Sequence, residues 1–457
     1  MSVRASRVGT HPAYQDHYIA TTEAELLAIQ CPMERSTGYA EDTQQAWKWG
    51  SGTWHLDSTK NTLFAPDALG NTIASNPILG NVRPKSMVYD LPVLRRKLAD
   101  VGSGASEAII GIIGDSHNAG VGSGDSGTYL LGNSFNFTPS AIMGRKLAAA
   151  FGLPVNEDGF WGWRGVYSNV ALNVWDPRWA ITGTWVATSA ASESLGGGAL
   201  RASTDGATAT YTADRAWDKA EIWVQQNVGG TGTVVASATG ASSIPLTMSG
   251  ASPLLTKFTL TKSAVDLNPL VITATVQMSN YVGIAAINFI NTKQPAVRIQ
   301  NHAFSGSKMS DHIISARAYS SFNAYQTAGL SADLLLVELF HNSIKGEAQT
   351  MANWLANWDT FLAAMKTANR DIVVYIGFPG NFSWATDGTM DAWVGALKAK
   401  LDALSINLYD LRGIFGSSWA AAQTAGLTYD ADHFNKRGAG EYGAKMFSDI
   451  LSVASPW

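Results

Sequence analysis

At 457 residues the chain exceeds one ordinary hydrophobic core, which predicts two or three domains. A net charge of −4 provides no basic footprint for nucleic acid or an anionic membrane surface. The single cysteine, Cys31, excludes an intramolecular disulfide and a cysteine-built metal site.

The first residues, MSVRASRVG, contain no apolar signal core. We therefore expect a protein made in the cytoplasm and either kept there or released by a route such as lysis. No stretch approaches the roughly 18–20 apolar residues that span a bilayer, so membrane insertion is not expected. Around Gly50-Ser51-Gly52 the run AWKWGSGTWHL, residues 46–56, alternates with a period of two and predicts a β-hairpin. It belongs to an N-terminal β segment over residues 1–60. Residues 61–88, rich in Asn, Pro, Gly and Ser, read as a linker.

From residue 89 to 169 the pattern is α/β. A short helix is expected over 91–98, a buried strand over 108–113 (AIIGII), and a helix over 139–151 with Pro139 at its start and Gly152 just past its end. Residues 170–292 are rich in Thr, Ala, Ser and Gly and carry short alternating runs at 207–211, 220–224 and 270–276, which predicts a β-sandwich. The α/β pattern then resumes over 293–457, with strands at 297–300, 334–339, 372–376 and 406–409. Helical patterns fall between them at 348–368 and 390–404, and a last helix begins at Gly438. The sandwich is thus inserted into an α/β domain whose alternating strands and helices imply a parallel sheet covered on both faces.

The chemistry gathers at two places. The strand at 108–113 ends in Gly114-Asp115-Ser116, placing a serine at the carboxyl edge, where open α/β sheets carry their sites. Far downstream, Asp430-Ala431-Asp432-His433 supplies an imidazole with a carboxylate three residues before it. A serine hydroxyl is a poor nucleophile unless a base takes its proton, and a base works best when a carboxylate fixes its tautomer. The second tripeptide Gly124-Asp125-Ser126 follows no strand and is set aside. Asp432 is the alternative orienter to Asp430. The histidines, among them His117, His302, His312 and His341, lack metal-ligand spacing, so no metal or other cofactor is expected.

These blocks resemble the SGNH (GDSL-type) hydrolases, a family of esterases on a flavodoxin-like, three-layer α/β fold. Gly114-Asp115-Ser116 is similar to the first block of that family. Ala303-Phe304-Ser305-Gly306 is similar to the second, and Asp430 to Gly438 to the last. Phe340-His341-Asn342-Ser343 stands where the third block usually reads Gly-x-Asn-Asp. The resemblance implies a nucleophile at Ser116, a base at His433 and an orienting carboxylate at Asp430. It implies oxyanion donors at the Ser116 and Gly306 amides and the Asn342 side chain. Phe340 and His341 are expected as pocket walls, and Trp161, paired with Trp163, either lines a sugar site or packs the sheet edge.

Residues 37–54 resemble a short β element of bacteriophage tail-fibre and tailspike proteins. That resemblance implies a virion protein, made in the host cytoplasm, that removes O-acetyl groups from a bacterial surface polysaccharide, with a homotrimer and other tail proteins as partners. The sixteen Trp and fourteen Tyr residues also suit a carbohydrate partner. The competing expectations are a bacterial carbohydrate esterase or lipase of the same fold, and a non-catalytic polysaccharide-binding adhesin on an esterase scaffold.

Overall fold

The computed structural model divides into two units, residues 1–85 and 86–457. It describes residues 17–20, 37–40, 45–50 and 53–56 of the first unit. In the second it describes 89–123, 134–157, 159–161, 176–187, 199–202, 204–226, 233–246, 255–274, 282–313, 325, 329–346, 350–367, 369–378, 380–381 and 388–451.

In the first unit β1 (His17–Ala20), β2 (Thr37–Ala40), β3 (Gln45–Gly50) and β4 (Thr53–Leu56) form one sheet in chain order. β3 and β4 pair antiparallel, with Gly50 opposite Thr53, and make the hairpin expected there. β2 joins β3 antiparallel, and β1 joins β2 in parallel.

The second unit is organised by β5 (Ala108–Gly114), every residue of which is buried. Such a run of Ile with no polar face can form only a strand covered on both sides. Its neighbours are β18 (Val297–Asn301) and β19 (Leu334–Glu338). β6 (Val155–Asn156) lies beyond β18, while β20 (Asp371–Ile376) and β21 (Asn407–Asp410) lie beyond β19. All pairings are parallel. The chain leaves β5 first to one side and later to the other, so a topological switch point falls at β5, where α/β sheets open a crevice for ligands.

The two faces of β19 show how the layers form. Leu334 and Leu336 enter a core with Leu94 and Leu98 of α1 (Pro92–Gly102), and with Met143 and Leu147 of α3 (Pro139–Phe151). The short helix α2 (Ser116–Ala119) precedes α3 in the chain. Leu335 and Val337 face the other way and meet Trp354, Trp358 and Phe361, together with Trp393 and Leu397. Burying a side chain of Leu or Ile size contributes about 1.5–3 kcal/mol relative to exposure, and both cores contain many. Gly111 in β5 has no room for a side chain, since a Cβ would sit 2.5 Å from the Tyr325 hydroxyl.

Between β6 and β18 the chain builds two antiparallel sheets. One contains β7 (Gly159–Trp161), β9 (Trp185–Ala187), β10 (Leu200–Ala202), β12 (Trp217–Gln226), β15 (Leu255–Asp266) and β17 (Val282–Ile290). The other contains β8 (Trp179–Thr182), β11 (Thr208–Tyr211), β13 (Val234–Ser237), β14 (Ile244–Leu246) and β16 (Leu270–Ala274). Their shared core includes Trp179, Tyr211, Trp217, Ile272 and Phe289. β7 lies ahead of the β-rich stretch read from composition, because a three-residue strand leaves no periodic signature. Trp223 joins the parallel-sheet core with Ile109 and Leu335 rather than the sandwich core.

Candidate active site

The remaining α-helices are α4 (Met309–His312), α5 (His341–Gly346), α6 (Met351–Met365), α7 (Thr389–Ala403), α8 (Trp419–Thr424) and α9 (Lys436–Met446). Ser116 opens α2 at the end of β5. Asp115 caps that helix, its Oδ1 accepting the His117 N–H at 3.0 Å. Gly114 must lack a side chain here, since a Cβ would fall 2.7 Å from the Asn118 amide.

The histidine arrives on the loop ahead of α9. His433 Nε2 lies 3.0 Å from Ser116 Oγ, and its Nδ1 lies 2.9 and 3.0 Å from the two Asp430 carboxylate oxygens. Asp430 Oδ1 also accepts the amides of Asp432 at 2.7 Å and His433 at 2.8 Å. Burial opposes the charge on Asp430, but the His433 contacts and these amides outweigh it and hold the carboxyl below its ordinary range. Asp432 contributes its carbonyl oxygen, 2.7 Å from His117 Nε2, and the carboxylate on His433 Nδ1 is that of Asp430.

The residues after His433 set the loop. Asn435 caps α9 by accepting the Gly438 N–H at 3.0 Å, and its amide donates to the carbonyls of Gly426 and Thr428. A Cβ on Gly438 would stand 2.4 Å from the Leu427 carbonyl. The Asn and Gly of the last block are therefore structural, and they hold the imidazole where the serine can reach it.

Gly306 sits third in a turn closed by Ser307 N–H to Phe304 O at 3.2 Å, with φ +78, a conformation natural to glycine. Among the described residues neither the Ser116 amide nor the Gly306 amide donates an intramolecular hydrogen bond. Asn342 is half-buried, and its Nδ2 donates to Asp115 Oδ2 at 3.1 Å. One amide hydrogen is thereby engaged, which fixes the direction of the other. Ser343, in place of the usual aspartate, accepts the Met309 N–H and donates to the Leu339 carbonyl, both at 3.1 Å.

The two residues expected as pocket walls are both buried. Phe340 is buried edge-on against Trp354 at 5.3 Å between ring centroids, and His341 is buried beside His117 at 5.2 Å. Phe340 shares the core with Leu339 and Trp354, and His341 opens α5. The Trp161 side chain lies outside the described residues, although its backbone ends β7. A groove of about 750 Å³ beside α3 and α9, lined by Lys146, Ile414, Glu441 and Phe447 among others, contains none of these residues.

The composition of the serine and histidine blocks did not reveal a buried polar floor. Asp115, His117, Asn118 and Glu338 are all essentially inaccessible. The Asn118 amide donates to Glu338 Oε2, and its Oδ1 accepts the Tyr375 hydroxyl at 2.8 Å. Its carbonyl accepts from Asn301 at 2.8 Å. A glutamate ending the otherwise apolar run Leu334–Val337 was the signal available for Glu338.

No protein-family model matches the sequence, and no curated protein matches it. Among solved structures, a peptidoglycan O-acetylesterase superposes with a TM-score of 0.56 at 17% identity, covering 80% of this chain and 97% of that one. The chain shares the fold of that esterase, a parallel sheet covered by helices with additional antiparallel sheets. Two family 2 carbohydrate esterases also match. One, from Clostridium thermocellum, has 9% identity over 60% of this chain and 98% of its own, with a TM-score of 0.27. The other, from Cellvibrio japonicus, has 10% identity over 61% and 96%, with a TM-score of 0.26.

Proposed function

We propose that this protein is a serine ester hydrolase that removes O-acetyl groups from a bacterial polysaccharide. The observation that carries the reading is the Ser116–His433–Asp430 line, with imidazole nitrogens 3.0 Å from the hydroxyl and 2.9 Å from the carboxylate. In this reading Ser116 Oγ attacks the acetyl carbonyl carbon while His433 Nε2 takes the hydroxyl proton. Asp430 keeps the Nδ1 hydrogen in place and stabilises the imidazolium. The tetrahedral oxyanion is received by the Ser116 and Gly306 amides and the Asn342 Nδ2. His433 then returns the proton to the departing sugar oxygen. Water, activated by the same imidazole, releases acetate from the acetyl-serine and restores Ser116.

Acetate release from acetylated capsule, O-antigen and peptidoglycan, comparing the wild type with Ser116→Ala, tests this. Hydrolysis by the wild type that is lost in Ser116→Ala supports the reading, and the preferred polymer names the substrate. Binding to polymer without acetate release would instead favour an adhesin on an esterase scaffold. The finer reading, a bacteriophage tailspike acting on capsule or O-antigen, is supported by the resemblance of residues 37–54 to tail-fibre elements and by the sheet β1–β4 standing as part of its own unit. Preference for peptidoglycan over capsule and O-antigen would overturn it.

A further inference from the structure

Directly under the Ser116–His433 contact lies a second imidazole that the proposed reaction does not use. His117 follows the nucleophile in sequence and is wholly buried. Its Nε2 stands 2.7 Å from the Asp432 carbonyl, and because a carbonyl only accepts, that nitrogen carries a hydrogen. Its Nδ1 faces two carboxylates, Asp115 Oδ1 at 3.1 Å and Glu338 Oε1 at 3.4 Å. A neutral ring with its hydrogen on Nε2 would turn a lone pair toward both oxygens, whereas a protonated ring offers each side a donor.

The surroundings are arranged around this charge. Asp115 is held by the His117 and Asn342 N–H groups and Glu338 by the Asn118 amide. Gly377 leaves space beside them, since a Cβ there would lie 2.3 Å from both Glu338 Oε1 and the Tyr442 hydroxyl. Among the described residues the other titratable groups facing the cluster are His341 and His433, with ring centroids 5.2 and 5.9 Å from that of His117, and the hydroxyls of Tyr375 and Tyr442. Burial and the Glu338 charge push both tyrosines well above their ordinary range. Burial disfavours a charged His117, yet Asp115 and Glu338 together raise it well above the usual imidazole value. Burial and the Asp115 charge push Glu338 up to about 7.

We propose that His117 is a positioning residue whose ring, held as a cation between Asp115 and Glu338, clamps the loop carrying Asp430 and His433 to the turn carrying Ser116, and that its deprotonation at alkaline pH loosens the clamp. The inference rests on the serine-hydrolase reading of the same site. One ring thereby joins three separate segments: the end of β5, the end of β19 and the loop before α9. When the proton leaves, the Nδ1 lone pair is repelled by the carboxylates, and the ring can no longer hold both them and the Asp432 carbonyl. The base is then displaced from the nucleophile, which lowers turnover more than substrate binding.

The test combines kinetics on p-nitrophenyl acetate between about pH 5 and 10, fluorophosphonate labelling of Ser116, and ring-nitrogen NMR of His117 in the intact chain. His117→Phe keeps the aromatic packing against Phe378 and Phe434 but removes the clamp; kcat should fall about 10–100-fold with little change in KM. Glu338→Gln removes one anion and keeps the Asp432 contact. It should remain active near neutrality while the alkaline fall in kcat moves to lower pH. Should His117→Phe not fold, Glu338→Gln and the NMR signal decide. A protonated His117 ring at neutral pH, with the shifted alkaline limb in Glu338→Gln, supports the proposal. A neutral ring in the wild type, or an unmoved alkaline limb, overturns it. A labelled Ser116 beside a neutral His117 would remove the clamp alone. An unlabelled, inactive wild type with a protonated ring would remove the hydrolase reading.

Discussion

Two aspartate–histidine pairs lie side by side in this molecule, with ring centroids 5.9 Å apart, and their surroundings differ sharply. In the Asp430–His433 pair the carboxylate is 41% exposed and the imidazole 11%. In the Asp115–His117 pair both side chains are fully buried and a second carboxylate, Glu338, stands against the ring. The same two functional groups therefore suit different tasks. In the proposed reaction the outer imidazole accepts and releases a proton, with its Nε2 on the Ser116 hydroxyl. The inner one is enclosed between two carboxylates and the Asp432 carbonyl, and in the proposed clamp its charge serves geometry. Environment, more than residue type, assigns the role.

Breaking the outer pair should have the largest effect. Asp430→Asn keeps the shape but lets the wrong His433 tautomer form, and kcat for acetyl ester hydrolysis should fall by roughly 10²–10⁴. A fall of less than about threefold in steady-state assays would show that Asp430 does not orient the base. Asn342→Ala comes next. It removes the proposed oxyanion donor and also releases Asp115, so kcat should fall by about 10²–10³ with KM little changed. A KM effect alone would make Asn342 a substrate-binding residue.

The smallest effect is on stability, and it sharpens the contrast. Glu338 has a folded value raised from 4.5 to about 7, so the folded state binds the proton more tightly than the unfolded chain. Stability contributed by this group is full at acid pH and declines as pH rises from about 4.5 through about 7. The raised value of His117 acts in the same direction, its contribution being lost above the ordinary imidazole range. Asp430, held below 3.8, acts oppositely and loses its contribution only on strong acidification. Melting temperature should therefore drop between mildly acidic and alkaline buffer, and the drop should be smaller in Glu338→Gln. An equal drop in both proteins would place the pH dependence elsewhere.

Much of this architecture was legible in the chain. The period and apolar character of β5, the Pro139 and Gly152 boundaries of α3 and the alternating insert runs are local signals, and the observed elements follow them closely. The proximity of Ser116 and His433 was legible through order and strand context, since both blocks lead to one sheet edge. The floor was not. Asp115, His117, Asn118 and Glu338 meet only because β5 and β19 are neighbours, and no short motif records that pairing. The burial of Phe340 and His341 was not legible either, because a short block gives no direction for its side chains. The three residues of β7 join their sheet only through pairing with β17.

The central claim is that His433, oriented by Asp430, activates Ser116. Peptide mapping after reaction with a fluorophosphonate tests it most directly. The account predicts a single adduct on Ser116 that forms rapidly in the wild type and is lost or greatly slowed in His433→Ala. An adduct on another serine, or ester hydrolysis that continues with Ser116 unlabelled, would contradict it.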